Sequence, residues 1–326
     1  MKIAFFSTQP YDKKYFEACN TQHEILFLDA TLNEQTFKLA EGCTAVCSFV
    51  NDKIDLTVIT QLKKLGIKII AQRCAGFNNV DINAARENNI AVVRVPAYSP
   101  HAVAEHALAL IMTLNRKTHK AYNRVKEGNF SLDRLTGFDL YGKTVGVVGT
   151  GKIGLCFAHI MLGLGCTVLA FDLIANKDAE AAGINYLPLA EVLQQSDIVS
   201  LHCPLTEQTK HLINSDTLAL LKKGAMLINT SRGALINTKD VIVALKNQTL
   251  GYLGIDVYEQ EEKLFFHDLS ENIIQDDMLV RLLGFPNVLI TSHQGFLTEE
   301  ALTQIALITL QNITDFENGV PLINKV

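Results

Sequence analysis

The sequence has no excess of positive charge and no cluster of lysine and arginine. Its 326 residues contain 29 Lys and Arg against 34 Asp and Glu, which gives a formal net charge of −5. Proteins that bind nucleic acid usually present a basic face to the phosphates. We therefore expect no nucleic-acid partner, and an acidic ligand would need donors placed within its own site.

The cysteines lack the spacing of a disulfide framework or a zinc site. The seven cysteines are scattered along the chain, and no Cys-x-x-Cys occurs among them. Cys43 and Cys47 have no second ligand pair, so they are predicted to be small hydrophobic residues of a strand. Free thiols are typical of a reducing compartment, which predicts a cytoplasmic protein. No spacing of His, Cys and Asp matches a metal site, so no metal is expected.

Long hydrophobic runs are also missing. The run Ile3–Phe6 has four apolar residues, which is too short for the core of a signal peptide. The stretch from Ile153 to Phe171 has 19 residues without formal charge, but Gly163 and Gly165 interrupt it. It is predicted to form a buried helix followed by a strand, and not a membrane span.

What is present is a long alternation of short apolar strands and amphipathic helices. Val- and Ile-rich strands that alternate with helices are typical of parallel sheets covered on both faces. Strands are predicted at 2–7, 24–28, 45–48, 68–71, 91–93, 144–148, 167–171, 198–201, 225–228, 253–255 and 288–290. At roughly 100–200 residues per domain, the length predicts two domains.

A helical pattern separates the two series of strands. Ser99 is a good N-cap and Pro100 suits the first helical turn. The pattern continues to about Lys126, and Gly128 is a suitable terminator. A single helix of about 26 residues would be about 39 Å long. Such a helix is predicted to bridge domains or to line a subunit interface.

A glycine-rich motif opens the second series. Gly149, Gly151 and Gly154 follow the strand at 144–148 in the order G-x-G-x-x-G, and an apolar helix comes next. The first glycine allows a tight turn, the second leaves room for a pyrophosphate, and the third lets helix and strand pack closely. The N–H groups at the start of the helix then face the anion. The motif predicts dinucleotide binding.

Two charged residues refine that prediction. Asp172 ends the next strand, where a carboxylate binds the ribose hydroxyls and repels a 2′-phosphate. NAD is therefore favoured over NADP. Lys152 lies inside the motif and is either a solvated helix residue or a charge beside the phosphates.

Later strand ends carry groups suited to reducing a keto acid. That reaction needs a cation for the carboxylate, a proton donor, and a group that keeps the donor protonated. Arg232, whose planar fork suits a carboxylate, and His293 each follow a buried strand. Glu259, Glu261 and Glu262 follow the strand between them. Each group alone is more often a surface charge or a structural histidine, but together they indicate a catalytic set.

Several segments, in order over essentially the whole chain, resemble the D-isomer-specific 2-hydroxyacid dehydrogenase family. They are Arg73–Asp81, Gly149–Gly154, His202–Thr206, Asn229–Ile236, Gly254–Glu259 and Ser292–Gln294. Within the family, Pro96–His106 and Leu264–Asp268 resemble the branch that reduces pyruvate to D-lactate.

The resemblance implies an α/β fold of two Rossmann- or flavodoxin-like domains with doubly wound parallel sheets. The substrate domain would be discontinuous, formed by 1–99 and 299–326, with the NAD domain at 100–298 between its parts. A last helix from about 298 to 316 would cross back to the substrate domain. The family also implies a homodimer or homotetramer, with the helix after Ser99 in the subunit interface.

The resemblance further implies roles for single residues. Arg232 would bind the substrate carboxylate and carbonyl, His293 would be the general acid, and Glu261 would hold His293 protonated. The remaining substrate-binding residues would be Ala75 and Gly76 through their N–H groups, and Tyr98 and Phe296 around the methyl group. The cofactor-binding residues would be Gly149, Gly151, Lys152, Ile153, Gly154, Asp172, Cys203, Pro204, Thr209, Thr230 and Asp256.

The leading expectation is thus NADH-dependent reduction of pyruvate to D-lactate in the cytoplasm, as in fermentation, with no metal, membrane or nucleic acid involved. A second reading keeps the fold and changes the substrate to glyoxylate, hydroxypyruvate, or a branched or aromatic 2-keto acid. A third is an NAD(H)-sensing binding module, because a fold alone does not fix a function.

Overall fold

The computed structural model describes residues 1–261 and 264–326. These residues form two compact units, one of Met1–Ser99 with Leu297–Val326, the other of Pro100–Phe296. Each unit has its own all-parallel sheet with helices between the strands. The predicted α/β class with two doubly wound sheets is confirmed, whereas the assignment of substrate binding to the first unit remains a prediction.

The first unit is built on five parallel strands in the order β2-β1-β3-β4-β5. These strands are β1 (Lys2–Phe5), β2 (Glu24–Phe27), β3 (Ala45–Ser48), β4 (Ile69–Gln72) and β5 (Ala91–Val93). The helices between them are α1 (Pro10–Cys19), α2 (Leu56–Lys64) and α3 (Ile82–Glu87). The five strands predicted before Ser99 are all confirmed.

Local sequence explains why these elements form. Every residue of β3 and β4 is buried, and both strands are apolar up to their last residues, as expected of a sheet covered on both faces. Those last residues, Ser48 and Gln72, hydrogen-bond each other (3.1 Å). Helix α2 begins after Asp55, whose side chain accepts a hydrogen bond from the N–H of Val58 (3.1 Å). Its buried residues Val58, Ile59 and Leu62 lie at helical spacing and join the core of the unit.

The second unit is built on seven parallel strands in the order β12-β11-β10-β9-β6-β7-β8. The strands are β6 (Thr144–Val148), β7 (Thr167–Phe171), β8 (Asn185–Tyr186), β9 (Ile198–Leu201), β10 (Ala225–Asn229), β11 (Leu250–Ile255) and β12 (Val288–Ile290). The strand order reverses between β6 and β9, and in such sheets ligands bind outside the carboxyl ends at this switch point. Strand β8, a two-residue edge strand, was not predicted.

Helices precede and connect the strands of the second unit. They are α4 (Pro100–Arg116), α5 (Thr118–Lys126), α6 (Lys152–Gly163), α7 (Lys177–Ala181), α8 (Leu189–Gln195), α9 (Ser215–Leu218), α10 (Thr238–Lys246) and α11 (Asp277–Leu283). Helix α6 and strand β7 account for the uncharged stretch at 153–171, as predicted. No helix in the described ranges is long and apolar enough to cross a membrane. All seven cysteines are free thiols, and Cys43 and Cys47 are buried.

The prediction of one long helix after Ser99 is wrong. The helix breaks at Lys117, whose φ of +51° lies in the left-handed region, so α4 and α5 are separate. The Lys117 ammonium donates hydrogen bonds to the carbonyl oxygens of Arg134 (3.0 Å) and Thr136 (2.8 Å), and these contacts hold the break. Helix α4 packs into the core of the second unit, whereas α5 has no buried residue.

The last helix, α12 (Glu299–Glu317), belongs to the first unit and packs against α1. Thr298 caps it by accepting a hydrogen bond from the N–H of Ala301 (3.2 Å). The amino group of Met1 forms an ion pair with Glu317 at 2.9 Å, and His23 contacts Thr314 at 3.0 Å. The predicted last helix is confirmed, and the two ends of the chain are held together within one unit.

Candidate active site

The glycine-rich motif forms a tight turn between β6 and α6. Gly149 has a φ of +94°, in the left-handed region that favours glycine. A Cβ there would lie 2.5 Å from the backbone nitrogen of Cys203. A Cβ on Gly154 would overlap the carbonyl oxygen of Gly149, so helix and turn pack as closely as the motif predicts. A Cβ on Gly151 would meet no atom within 4 Å, so a ligand can approach there.

The start of α6 faces this open space. Gly151 is the N-cap, and the first N–H groups of any α-helix have no partner within the helix, so they suit an anion. Lys152 is exposed and forms no ion pair within residues 1–261 and 264–326. Ile153 is half-buried and packs against the core of the unit.

Asp172 lies directly after β7, beside the glycine-rich turn. Its Oδ2 accepts hydrogen bonds from the backbone N–H (2.6 Å) and the hydroxyl (3.0 Å) of Thr150, and its Oδ1 accepts one from the N–H of Leu173 (2.7 Å). The carboxylate is half-buried at the end of a strand next to the predicted phosphate site. This is the position at which a carboxylate can bind a ribose.

The residues predicted for the nicotinamide side lie after β9 and β10. Thr230 has a buried hydroxyl with no hydrogen-bond partner in the described part of the chain, as expected if a ligand supplies one. Cys203 is buried, and its carbonyl accepts from Ser231 (2.7 Å). Thr209 donates to the carbonyl of Pro204 (2.7 Å), so its hydroxyl shapes this loop. The glycine turn, Asp172 and the unpaired Thr230 hydroxyl together fit a bound dinucleotide.

Arg232 lies three residues beyond the end of β10. Asn229 fixes the backbone by donating from its amide to the carbonyl of Arg232 (2.8 Å) and accepting from the N–H of Ser231 (3.0 Å). The guanidinium is half-buried and donates to the carbonyl of Ser231 (2.7 Å). It has no carboxylate partner in the described ranges, so it remains available for the carboxylate of a ligand.

Glu261 and His293 form a hydrogen-bonded pair, with His293 Nδ1 at 2.9 Å from Glu261 Oε1. The other oxygen of Glu261 accepts from the N–H of Tyr258 (2.8 Å), which orients the carboxylate. Because a carboxylate accepts, Nδ1 carries the proton. Nε2 then points away from Glu261 and has no partner among the residues that the structure describes. An imidazole held in this way can donate or accept a proton at Nε2.

A single residue, Asp256, holds the backbone that carries His293. Its carbonyl oxygen accepts from the N–H of His293 (2.7 Å), its Oδ1 from that of Gln294 (2.9 Å), and its Oδ2 from that of Gly295 (2.8 Å). Asp256 is only 1% exposed. In this structure it shapes the turn, and its predicted direct contact with the cofactor stays a prediction.

Sequence reasoning missed the neighbours of this turn. The hydroxyl of Thr291 donates to Asp256 Oδ1 at 2.5 Å, and His106 Nε2 lies 3.0 Å from that hydroxyl. The ring of Phe266 lies 5.9 Å from that of His293. Phe296, which the sequence analysis did name, lies 6.5 Å from the same ring. No spacing rule connects residues so far apart in the chain, although the segments Pro96–His106 and Leu264–Asp268 contain two of them.

The glutamates that follow β11 make different contacts. Glu259 accepts hydrogen bonds from His211 Nε2 (2.7 Å) and from the hydroxyl of Thr238 (3.0 Å), so it binds within the fold. Glu261 alone pairs with His293, as the resemblance implies, and Glu262 lies outside the described residues. No group of three or more potential metal ligands occurs within 1–261 and 264–326.

The first unit supplies the remaining predicted residues. Ala75 and Gly76 lie in the loop after β4, and their N–H groups donate to no other group in the part of the chain described. Arg94 holds this loop by donating to the carbonyl of Ala75 (2.8 Å). Tyr98 is half-buried near the end of the unit's first segment. The loop thus presents two backbone donors suited to an anion.

Comparisons with known proteins agree with this chemistry. Residues 108–295 match the family model described as D-isomer specific 2-hydroxyacid dehydrogenase, NAD binding domain. The chain is 53% identical over 321 residues to D-lactate dehydrogenase of Escherichia coli, covering 98% of each chain. The apo structure of that Escherichia coli protein superimposes with a TM-score of 0.92 and 50% identity, covering 100% of both chains.

An NAD-complexed relative supports the cofactor. The D-isomer specific 2-hydroxyacid dehydrogenase from Lactobacillus delbrueckii ssp. bulgaricus, solved in its NAD-complexed form, is 32% identical with a TM-score of 0.81 and covers 100% of both chains. Identity at this level over the full length, together with the matched NAD-binding model, shows the family. The chain belongs to the D-isomer-specific 2-hydroxyacid dehydrogenases, whose cofactor is NAD.

Proposed function

We propose that the protein reduces pyruvate to D-lactate with NADH, and that the reaction is reversible. The observation that carries the proposal is the Glu261–His293 pair. Among the described residues, Nε2 of His293 has no partner, and Arg232 in the same unit has no carboxylate partner. The similarity to Escherichia coli D-lactate dehydrogenase supports pyruvate as the substrate. When bound, NADH supplies the hydride that reduces the carbonyl carbon.

The protein's own residues then bind the substrate and move a proton. The Arg232 guanidinium binds the carboxylate bidentately and polarises the carbonyl oxygen. His293 Nε2 gives its proton to that oxygen as the alcohol forms, and in the reverse direction takes it back. Glu261 stabilises the imidazolium by accepting from Nδ1 at 2.9 Å. The carbonyl thus gains one hydride and one proton to become the hydroxyl of lactate.

Other residues hold the substrate. The free N–H groups of Ala75 and Gly76 bind the carboxylate, and Tyr98 and Phe296 surround the methyl group. Phe296 is 6% exposed and lies beside the His293 ring, which supports its place at the reacting centre. In the cofactor site, Gly149, Gly151, Lys152, Ile153 and Gly154 hold the pyrophosphate, and Asp172 binds the ribose. Cys203, Pro204, Thr209, Thr230 and Asp256 line the nicotinamide side.

The experiment is a series of steady-state measurements on 2-keto acids of increasing size: glyoxylate, pyruvate, hydroxypyruvate, a branched acid and phenylpyruvate. We expect the highest kcat/KM for pyruvate with NADH, and D-lactate as the product. A clear preference for another acid would support the second reading, a dehydrogenase of different specificity. Predominantly L-lactate, or no turnover with tight NADH binding, would refute the assignment, and the latter outcome would favour a sensing module.

We further propose a homodimer or homotetramer that works in the cytoplasm in fermentative metabolism. Helix α5 has no buried residue, and Phe130 and Leu132 after it are 75% and 81% exposed, which supports a subunit interface there. The seven free thiols support a reducing compartment. Light scattering after size-exclusion chromatography tests the assembly, and a monomer at micromolar concentration would contradict it.

A further inference from the structure

The general acid of the proposed reaction has an unfavourable backbone conformation. His293 has a φ of +54°, in the left-handed region that residues other than glycine rarely adopt. Such a conformation persists only where the surroundings enforce it, and it is typical of functional sites. The groups that enforce it therefore decide where Nε2 of His293 points.

Asp256 is the first of these groups, and it uses all three of its oxygen atoms. They accept the N–H groups of three consecutive residues, His293, Gln294 and Gly295, at 2.7–2.9 Å. Burial works against the charge of Asp256, but hydrogen bonds from His106 and Thr291 outweigh it, and its pKa is below the usual value. A charged, fixed carboxylate is thus the centre of the turn.

Thr291 and His106 extend this arrangement to helix α4. A hydroxyl has one proton, and that of Thr291 points to Asp256 Oδ1, so the Thr291 oxygen accepts from His106. His106 Nε2, which lies 3.0 Å from that oxygen and 3.3 Å from Asp256 Oδ1, must therefore carry a proton. The order of donors runs from His106 to Thr291 to Asp256.

His106 also lies against the turn itself. A Cβ on Gly295 would be 3.6 Å from Cδ2 of the His106 ring, which is ordinary contact distance. The His106 side chain is 13% exposed, so its hydrogen bond is largely shielded from water. It makes no hydrogen bond to Glu261, Arg232 or His293. The polar contacts of His106 therefore reach the turn through Thr291 and Asp256, and its only other contact with the turn is packing beside Gly295 among the described residues.

We propose that His106 is a positioning residue for His293, and that it acts by donating from Nε2 to the Thr291–Asp256 pair that holds the left-handed turn. This role rests on the proposed function of His293 as general acid. It extends the catalytic arrangement from the loop after β12 to a helix 185 residues earlier in the chain.

Two substitutions separate the hydrogen bond from simple packing. His106→Leu removes the donor, whereas in His106→Gln the side-chain amide nitrogen can take the place of Nε2. We expect kcat for pyruvate reduction to fall about tenfold to a hundredfold in His106→Leu, as for a misplaced catalytic group, and to recover most of that loss in His106→Gln. The KM for pyruvate and the Kd for NADH should change less than twofold.

A matched control and a coupling test sharpen the result. His119→Gln replaces another half-buried histidine, on α5, that has no contact with this turn, and should leave kcat unchanged. Thr291→Val should resemble His106→Leu, and the double variant should lose little more than either single variant, because both break one chain of donors. Wild-type kcat in His106→Leu, equal losses in His106→Leu and His106→Gln, or additive losses in the double variant would overturn the proposal.

A readout without turnover distinguishes this proposal from the proposed function. The measurement is an NMR spectrum of protein that contains isotopically labelled histidine. In that spectrum, the ring signal of His293 is identified by its loss in His293→Gln. That signal should shift in His106→Leu and not in His119→Gln, whichever substrate the enzyme reduces. If the wild type reduces no 2-keto acid but the signal shifts as expected, the proposed function fails and the positioning survives. An unchanged signal in His106→Leu would refute the positioning alone.

Discussion

At the carboxyl edge of the first sheet, Arg73 and Asp52 bind mainly to groups inside the protein, whereas at the edge of the second sheet Arg232 and His293 each keep a bonding position without a partner among the described residues. Arg73, after β4, is 1% exposed and donates to the carbonyls of Phe6 (3.0 Å) and Ser7 (2.7 Å) and to Asp12 (3.2 Å). Asp52, after β3, accepts from the hydroxyl of Ser7 and from two backbone N–H groups. These two side chains connect the loops that follow β1, β2, β3 and β4.

The second edge uses the same residue types differently. The Arg232 guanidinium has only a backbone carbonyl as partner, Nε2 of His293 has none, and the Thr230 hydroxyl is buried and unpaired, all within the described residues. A buried group without a partner costs stability, and such groups persist where a ligand completes them. Buried atoms without a partner also occur elsewhere in the described residues, at Arg73 Nε and Tyr186 Oη, so it is the grouping of Arg232, His293 and Thr230 at one sheet edge that supports the proposed reacting centre.

The largest expected effect is a loss of turnover after a change at the carboxyl edge of the second sheet. His293→Gln removes the proposed proton donor, and kcat for pyruvate should fall about 10³-fold, since general acid catalysis contributes roughly 10²–10⁴-fold. NADH affinity, measured by fluorescence titration, should remain near that of the wild type, and so should the urea midpoint. Turnover within tenfold of the wild type would show that another group delivers the proton.

At the carboxyl edge of the first sheet, replacing the buried cation Arg73 should lower the unfolding free energy. Arg73→Met leaves Asp12 buried without its cation, and breaking such a pair costs about 3–5 kcal/mol of unfolding free energy. Urea denaturation followed by circular dichroism measures it, with Arg86→Met on the exposed side of α3 as control. The double variant Arg73→Met with Asp12→Asn should recover part of the loss. An Arg73→Met protein with the unfolding free energy of the wild type would contradict the proposed contrast between the carboxyl edges of the two sheets.

A conservative change at the second edge sharpens the comparison further. Arg232→Lys keeps the charge but loses the bidentate fork, so kcat/KM for pyruvate should fall about 10²-fold. Unfolding free energy should stay within about 0.5 kcal/mol, as for surface substitutions. Arg134→Lys, at a guanidinium that is 86% exposed, serves as control. If Arg232→Lys lowered the unfolding free energy without lowering kcat/KM for pyruvate, Arg232 would be a structural cation like Arg73.

The smallest effect concerns the choice of dinucleotide. Asp172→Ser removes the carboxylate that would repel a 2′-phosphate, and the preference for NADH over NADPH should narrow about tenfold to a hundredfold, which is about 1.4–2.8 kcal/mol. The ratio of kcat/KM for the two cofactors measures it. Because Asp172 also binds Thr150, Asp172→Asn is a control that keeps hydrogen-bonding capacity but removes the charge. An unchanged ratio in both variants would exclude Asp172 as the selective group.

Much of this molecule was predictable because its signals are local. Buried parallel strands such as β3 and β10 are continuous apolar runs, and the glycine motif requires a specific turn that Gly149 supplies. Strand β8 was missed because two residues at a sheet edge carry no periodicity. The break at Lys117 was missed because lysine is a good helix former, and its left-handed conformation is held by carbonyls 17 and 19 residues later.

The candidate site shows the same limit. Arg232, Glu261 and His293 could be proposed from their positions after strands and from family motifs. The contacts of His106 with Thr291, and of Arg73 with Asp12, join residues 185 and 61 positions apart, and no pattern in the sequence relates them. Tertiary packing creates these pairs, so only the folded chain reveals them.

The pairing of the chain ends within the first unit has a consequence for synthesis. Residues 100–296 form a unit that is continuous in sequence, so its own elements are all synthesised before α12. Residues 1–99 must wait for α12, whose side chains Thr314 and Glu317 contact His23 and Met1. The contacts that complete the first unit can thus form only after all of residues 100–296 have been synthesised.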